Sequence, residues 1–550
     1  MGLISGSEIL ARSLKAQGVD TMFYLMGGPM MDAEAACIRE GIRAIDVRHE
    51  QAAAMMAYAW GRMLNRTGVA MSCSGPGATN LLTGVATAWA DAAPLVVISG
   101  SASATGSAGG RGIFQEMDQV AMFRPVTKWA DRVLSPQRIP DMLATAFRQA
   151  RSGRPGPVYL DVPGNVLYAM ADESVVAQAA AQPSATQGRQ PAEADAVKEA
   201  VRLIRASAKP VLLSGNGTLW SDASEALRAF VDSTGVPFYT TPQGRGVIPD
   251  DHELSFLSAR STAFREADLF IVVGTRSNYV NGHLGAPRFN PQAKVIQVNI
   301  DPQEIGLTRK CDVGLVGDAR AVLEQLLAEW GSVAVDNRLG NWVARLRDLN
   351  ATKALAAQAM LNSDSVPIHP LRLCKEIRDF LDRDAILVVD GREILNYARQ
   401  SIPTFQPRHR MNSGTLGTMG VGVPYGVGAK SACPDKQVLV LHGDGSFGMN
   451  GMELDTAVRF DLPFVTVISL NGGWTASEHG QDKAGRDLAY TRYDQMAIAL
   501  GCHGEYVERA EDIRPALERA FRSGKPAVVN VRTDAYARSS TTNFSEYGAT

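Results

Sequence analysis

The sequence predicts an α/β protein of three doubly wound parallel-sheet domains, and two observations lead there. Each third of the chain carries uninterrupted Val/Ile/Leu runs that end in a glycine turn and pass into a helix. Such runs suit parallel strands covered on both faces. Two polar stretches poor in large apolar residues, 173–195 and 348–368, read as linkers between the thirds. In the first domain, 1–175, residues 44–48 read as a strand and the Ala/Met-rich 51–63 as the helix behind it. Strand-and-turn segments follow at 68–80 and 94–102. The second domain, 190–345, opens with a helix over 192–206 and has strand-and-turn segments at 210–217 and 267–278. The third, 366–536, has strands within 437–446 and 462–473 and a helix over 451–460, and a Ser/Thr-rich tail, 537–550, follows. Ligands are expected at the carboxyl ends of the strands, where the glycine turns fall.

Composition narrows the function. Lys+Arg 55 against Asp+Glu 57 leaves a net charge of −2, so no global field recruits nucleic acid or an anionic membrane. An anionic ligand must be held by local arginines and backbone amides. No apolar run reaches the roughly eighteen residues of a membrane helix. The first residues lack the basic-then-apolar order of a signal peptide, and the last do not form a peroxisomal signal. The six cysteines are scattered and read as buried thiols, so a cytoplasmic location is expected.

The sharpest signal lies in 437–475. Gly443-Asp444-Gly445-Ser446-Phe447-Gly448 fits the GxGxxG pattern, which a dinucleotide-binding turn would also give. The next strand ends in Asn471-Gly472-Gly473 rather than in the acid a ribose would want. Asp444 and Asn471 end consecutive strands of one strand–helix–strand unit, so a right-handed crossover sets them side by side. A carboxylate, an amide oxygen and a loop carbonyl are hard ligands for Mg²⁺ clamped to phosphate, and the Gly445 and Ser446 amides can face the same phosphate. A tight turn with a helix-capping Asp is the plainer alternative. Glu50, read alone, is a first-turn helix residue favoured by the helix dipole.

Gly-Asp-Gly followed some two dozen residues later by an Asn pair resembles the signature of thiamine diphosphate enzymes. The first Asn of that pair is Leu470 here, so Asn471 falls on the metal-binding one. The resemblance implies Mg²⁺ held by Asp444, Asn471 and the Gly473 carbonyl, with Gly443, Gly445, Ser446, Trp474 and Thr475 around the diphosphate. It implies that Glu50 bonds to the pyrimidine N1′, with Asn80 in the Gly75-Pro76-Gly77-Ala78-Thr79-Asn80 loop nearby. In 414–420 it makes Met419 the apolar wedge that bends the cofactor and the Gly417 carbonyl an acceptor from its amino group. Because Glu50 and the metal ligands belong to different domains, the resemblance implies a homodimer or homotetramer with its sites between subunits.

Within that superfamily the sequence is most similar to 2-hydroxyacyl-CoA lyases and oxalyl-CoA decarboxylases, through Gly27-Gly28-Pro29, Gly244-Arg245-Gly246-Val247-Ile248-Pro249-Asp250, Ala259-Arg260-Ser261 and His283-Leu284-Gly285. Phe114-Gln115 is the pair the lyases show, although acetohydroxyacid synthases share the run 114–116. The resemblance implies cleavage of the C1–C2 bond of a 2-hydroxyacyl-CoA to formyl-CoA and an aldehyde or ketone, reversible as a carboligation. Gln115 would donate to the substrate, Glu478 would be its base, with His479 a weaker candidate, and Phe114, Arg260 and Arg399 would contact the CoA thioester. Gly28, Met30, Met31, Phe114 and Trp474 suggest a small apolar pocket for a short or branched chain such as 2-hydroxyisobutyryl-CoA. The tail after Ala537 would close over the thioester. The alternatives are an oxalyl-CoA decarboxylase, an acetohydroxyacid synthase or benzaldehyde-lyase-like carboligase, and a non-catalytic cofactor-binding subunit.

Overall fold

The structure is a computed structural model that describes residues 2–103, 112–180, 188–331, 337–474 and 484–539. Each domain is built on one parallel sheet, and a short antiparallel pair, Leu3–Ser5 with Met170–Asp172, completes the first domain. The first sheet has β1 (Thr21–Leu25), β2 (Arg43–Asp46), β3 (Gly68–Ser72), β4 (Leu95–Ser101), β5 (Ala130–Arg132) and β6 (Pro157–Pro163) in the order β2-β1-β3-β4-β6-β5. The central sheet has β7 (Pro210–Ser214), β8 (Phe238–Thr240), β9 (Leu269–Val273), β10 (Lys294–Asn299) and β11 (Val313–Val316) in the order β8-β7-β9-β10-β11. The third has β12 (Ile386–Asp390), β13 (Arg410–Asn412), β14 (Val438–Gly443), β15 (Val465–Leu470), β16 (His503–Val507) and β17 (Ala527–Arg532) in the order β13-β12-β14-β15-β17-β16. The two outer sheets therefore share one connectivity. In every sheet the order reverses between the first and third strands, which is where such folds receive ligands. Those crevices lie at 27–30 and 73–80, at 215–217 and 274–276, and at 391–392 and 443–446.

The helices used below are α1 (Glu50–Leu64), α2 (Pro76–Ala90), α3 (Glu393–Ser401) and α4 (Gly422–Ala432). Helix α1 is apolar on every side because it is covered on every side. Residues 52–59 are buried between the first sheet, α2 and α4 of the third domain. Small residues allow that approach: a Cβ on Gly428 would stand 2.4 Å from the Met56 carbonyl oxygen and 2.9 Å from Ala59 Cβ. Tyr58 and Tyr425 meet edge to face, ring centroids 5.2 Å apart. Glu453 adds a polar tie, accepting the backbone N–H groups of Arg48 and His49, each at 3.0 Å. The first and third domains thus share one core, whereas the central domain keeps its own clusters.

Two boundaries differ from the sequence reading. The stretch 348–368 is mostly helical: one helix runs Gly340–Ala356 and another Gln358–Leu361. Only Trp342 and Leu346 of the longer helix are buried, so its apolar stripe is too narrow to reveal a helix whose other faces are Ala, Asn and Lys. The central domain accordingly extends past 345. At the first boundary, Ser174–Ala180 is helical and Val175 and Val176 pack on the first core, so that domain extends past 175.

Glu34 is a buried carboxyl with a measurable consequence. It is 2% exposed, and neither oxygen makes a well-formed hydrogen bond among the described residues. Burial, reinforced by the Asp46 charge, pushes it up to about 8. The folded protein then keeps a proton that the unfolded chain releases near 4.5, so this group costs stability progressively as pH rises from about 4.5 to about 8. Glu34→Gln is expected to be more stable than the parent by a margin that grows across that window and is flat below it, read as melting temperature against pH.

Candidate active site

The ends of β14 and β15 bring Asp444 and Asn471 together on one edge of the third sheet. Asp444 is 1% exposed and accepts N–H groups from Gly445 at 2.9 Å, Gly472 at 2.8 Å and Gly473 at 3.2 Å. Burial without a counter-charge pushes its carboxyl up to about 6. One atom of the Asn471 amide stands 3.1 Å from Asp444 Oδ1 and 2.9 Å from the Gly473 carbonyl oxygen. With nitrogen at that position, the amide donates to both. With oxygen there, it stands from each of the other two hard acceptors at about the edge length of an octahedron with ligands at ~2.1 Å, the geometry Mg²⁺ demands. A bound cation selects the second orientation, so the donor set fits Mg²⁺. Among the described residues no group of three or more His, Cys, Asp or Glu side chains could hold a metal. A small pocket beside these oxygens is lined by Gly443, Gly445, Ser446, Trp474, Met419 and Arg392. Gly445 has to be glycine, because the Trp474 ring lies 2.6 Å from where its Cβ would be.

Residues 414–422 reach this pocket through Met419. Asp390, at the end of β12, accepts the Gly422 N–H at 2.9 Å, and Asn450 Nδ2 donates to the Gly420 carbonyl at 2.7 Å. These bonds hold one end of the loop, while Thr415, tied into the other domains, holds the other end. Gly417 lies between, at φ +72 with open space on its Cβ side. Met419 projects into the pocket wall.

In the first domain Glu50 opens helix α1. It is 5% exposed, and its Oε2 accepts from Asn80 Nδ2 at 2.9 Å. Gly77 leaves room for the other oxygen, 3.3 Å from where a Cβ would stand. Gln115 bonds to the Ser74 hydroxyl and packs its side chain on Gly75. Phe114 beside it is 86% exposed. None of Glu50, Asn80, Phe114 and Gln115 lines the pocket of Asp444 or the larger cleft. A single chain therefore assembles two separate groups, one per outer domain, and keeps Phe114 away from Arg260 and Arg399.

Those two arginines do share a space. A cleft of about 2390 Å³ is walled by residues of all three domains, with Arg260, Arg288 and Arg399 among them. Burial, then the charges of Arg399 and Arg288, lower Arg260 to about 10. Its guanidinium lies 5.1 Å from the Phe264 ring centroid. A cluster of like charges of this kind favours an anion. Gly391, Arg392 and Met419 line both the cleft and the small pocket, so the two spaces adjoin.

Thr475, Glu478 and His479, and the tail beyond 539, lie outside the described residues. The first residues of the tail are described: Ser539 donates to Glu393 Oε2 from its N–H at 3.2 Å and its hydroxyl at 2.8 Å, and accepts from Asn396 Nδ2 at 3.1 Å. Glu393, Asn396 and Arg399 share one face of α3. Sequence reasoning missed Asp390, which the rule that found Asp444 also predicts, since it too ends a buried strand before a glycine. It also missed Gln119, whose Oε1 accepts the Gly75 N–H at 2.7 Å, and Arg392. No local pattern marks either.

Comparison with known proteins agrees with this geometry. Residues 4–122 match the model of the thiamine pyrophosphate enzyme N-terminal TPP binding domain, 197–326 that of the central domain, and 395–531 that of the C-terminal TPP binding domain. An acetolactate synthase large subunit from Mycobacterium tuberculosis is 36% identical over 542 residues, covering 97% of each chain. A 2-hydroxyacyl-CoA lyase from Oryza sativa subsp. japonica is 34% identical over 561 residues, covering 97% of this chain and 96% of the relative. An oxalyl-CoA decarboxylase from Escherichia coli is 34% identical over 550 residues, covering 97% and 95%.

Proposed function

The chain belongs to the thiamine pyrophosphate enzyme family, and from that premise we propose that it is a Mg²⁺-dependent 2-hydroxyacyl-CoA lyase. The reaction cleaves the C1–C2 bond to release formyl-CoA and an aldehyde or ketone, and runs in reverse as a carboligation. One observation carries the reading: the arginine-lined cleft adjoins the Asp444 pocket through Gly391, Arg392 and Met419. A long anionic carrier fits that arrangement. Its phosphates would meet Arg260 and Arg399, and its thioester would reach the cofactor.

Thiamine diphosphate, when bound, supplies a thiazolium that stabilises negative charge on a carbonyl carbon, so that the adjoining C–C bond can break. The residues divide the remaining work. Asp444, Asn471 and the Gly473 carbonyl would hold Mg²⁺, and the backbone N–H groups of Gly445 and Ser446 would face the diphosphate. Glu50, buried against Asn80 and Gly77, would hold a proton at the pyrimidine N1′, and Met419 would set the bend of the cofactor. Gln115, steadied by Ser74, would donate to the substrate oxygen, an interaction worth about 2–4 kcal/mol for a well-placed donor. Ser539 on Glu393 ties the start of the tail two turns from Arg399, which supports closure of the tail over the thioester. Since Glu50 and Asp444 belong to separate groups in one chain, the complete site would form between two copies. No described helix is long and apolar enough to cross a membrane, and we expect a cytoplasmic homodimer or homotetramer.

The test is a substrate panel with Mg²⁺ and thiamine diphosphate present: short and branched 2-hydroxyacyl-CoAs, oxalyl-CoA, and pyruvate. Formyl-CoA release from the first class is expected. Arg260→Ala and Arg399→Ala should each raise KM for it by about tenfold with kcat little changed, the mark of lost ground-state binding. Turnover of pyruvate alone would return the protein to the synthases, and turnover of oxalyl-CoA alone to the decarboxylases.

A further inference from the structure

We propose that Asp91 is a positioning residue whose carboxylate fixes the backbone of the 414–419 loop, and with it the placement of Gly417 and Met419 against the cofactor. The proposal rests on the thiamine diphosphate reading above. Asp91 follows helix α2 of the first domain and is 3% exposed. One carboxylate oxygen accepts the Thr415 N–H of the third domain at 2.9 Å. The other accepts Gln243 Nε2 of the central domain at 2.6 Å and the Tyr58 hydroxyl of α1 at 3.2 Å. Its backbone carbonyl oxygen accepts Asn216 Nδ2 at 2.6 Å. A single residue therefore bonds to elements of all three domains, and what it grips in the third is the start of the Met419 loop.

Sterics bind the loop to Asp91 as well. Gly414 has φ +64, and a Cβ there would lie 2.2 Å from Asp91 Oδ2. The carboxylate occupies that space, so the chain passes over it only as glycine. Two further bonds keep the loop in register: the Tyr279 hydroxyl donates to the Thr415 carbonyl at 2.6 Å, and the Thr87 and Thr418 hydroxyls are 2.8 Å apart. Gly417 lies between these anchors. Asp91 does not line the pocket of Asp444, where Mg²⁺ and diphosphate would be held. Losing the carboxylate should therefore shift the wedge without releasing the cofactor.

The full-length wild type, Asp91→Ala, Asp91→Asn and Gly414→Ala are compared with Mg²⁺ and thiamine diphosphate present. Cofactor affinity is read from tryptophan fluorescence, cofactor conformation from its near-ultraviolet circular dichroism band, and kcat and KM from formyl-CoA release. Asp91→Ala and Gly414→Ala are expected to alter the dichroism band and lower kcat by about ten- to a hundredfold, the range a misplacement of about 1 Å costs. Cofactor affinity and KM should stay within about threefold. Asp91→Asn, whose amide oxygen can still accept from Thr415, should keep the wild-type band and a kcat within about threefold. A wild-type band and kcat in Asp91→Ala overturn the proposal, as does an Asp91→Asn as impaired as Asp91→Ala. If Asp91→Ala does not fold, Gly414→Ala decides: an unchanged band and kcat there overturn it equally. A wild type that binds no thiamine diphosphate removes the parent reading and this proposal together. Cofactor binding with an unmoved band removes this proposal alone.

Discussion

Glu50→Ala is expected to bind Mg²⁺ and thiamine diphosphate within about threefold of the wild type and to turn over ~10²–10⁴-fold more slowly, the contribution of a positioned proton-transfer group. The reasons are local. The carboxyl sits at the first residue of α1, nearly without solvent, with one oxygen on Asn80 and the other facing the open side of Gly77. It makes no contact with Asp444, so deleting it spares the diphosphate anchorage. Helix α1 keeps its own cap, the His49 ring accepting the Gln51 N–H at 3.2 Å, and the fold should survive. Glu50→Gln, which can bond to a ring nitrogen but not exchange a proton with it, should be nearly as slow. Turnover unchanged in Glu50→Ala would end the assignment. A wild type that binds cofactor but turns over no panel substrate would instead support the non-catalytic reading.

Asp444→Ala is expected to weaken cofactor binding by about a hundredfold or more, since it removes the only anionic ligand of the proposed three. Isothermal titration in the presence of Mg²⁺ reads this directly. Chelation of the wild type should reproduce the loss and added Mg²⁺ reverse it, whereas nucleotide binding of the ordinary GxGxxG kind would survive chelation. The same variant tests assembly. Co-expressed with Glu50→Ala, it should yield about a quarter of wild-type activity. Random pairing makes half the dimers mixed, and each mixed dimer has one intact site of two. No recovery from two individually dead variants would put the site within one chain.

The sheets were legible because their strands are buried on both faces and so read as unbroken apolar runs, as in 437–443 and 464–470. Asp444 and Asn471 were legible for a related reason: they end neighbouring strands joined by one crossover, so topology alone brings them together. The helix over 340–356 was not, because two buried side chains leave almost no periodic signal. Asp91, Gln119 and Glu453 stayed hidden because their roles come from partners far along the chain. Glu453, for example, receives N–H groups from residues 405 and 404 positions away. The surroundings of Phe114 were not legible either: within one chain it is 86% exposed. A motif fixes a residue's identity, and the surface it faces is settled only by what packs beside it.

The fusion of α1 with α4 also limits how the protein can move. A joint in which Met56 and Gly428 touch backbone to backbone cannot act as a hinge. Rotating the outer lobes apart would open a dry void along four helical turns, and close-packed interiors resist that. The two outer lobes should therefore travel as one body, and any change in the width of the large cleft has to come from the central domain, whose core is separate.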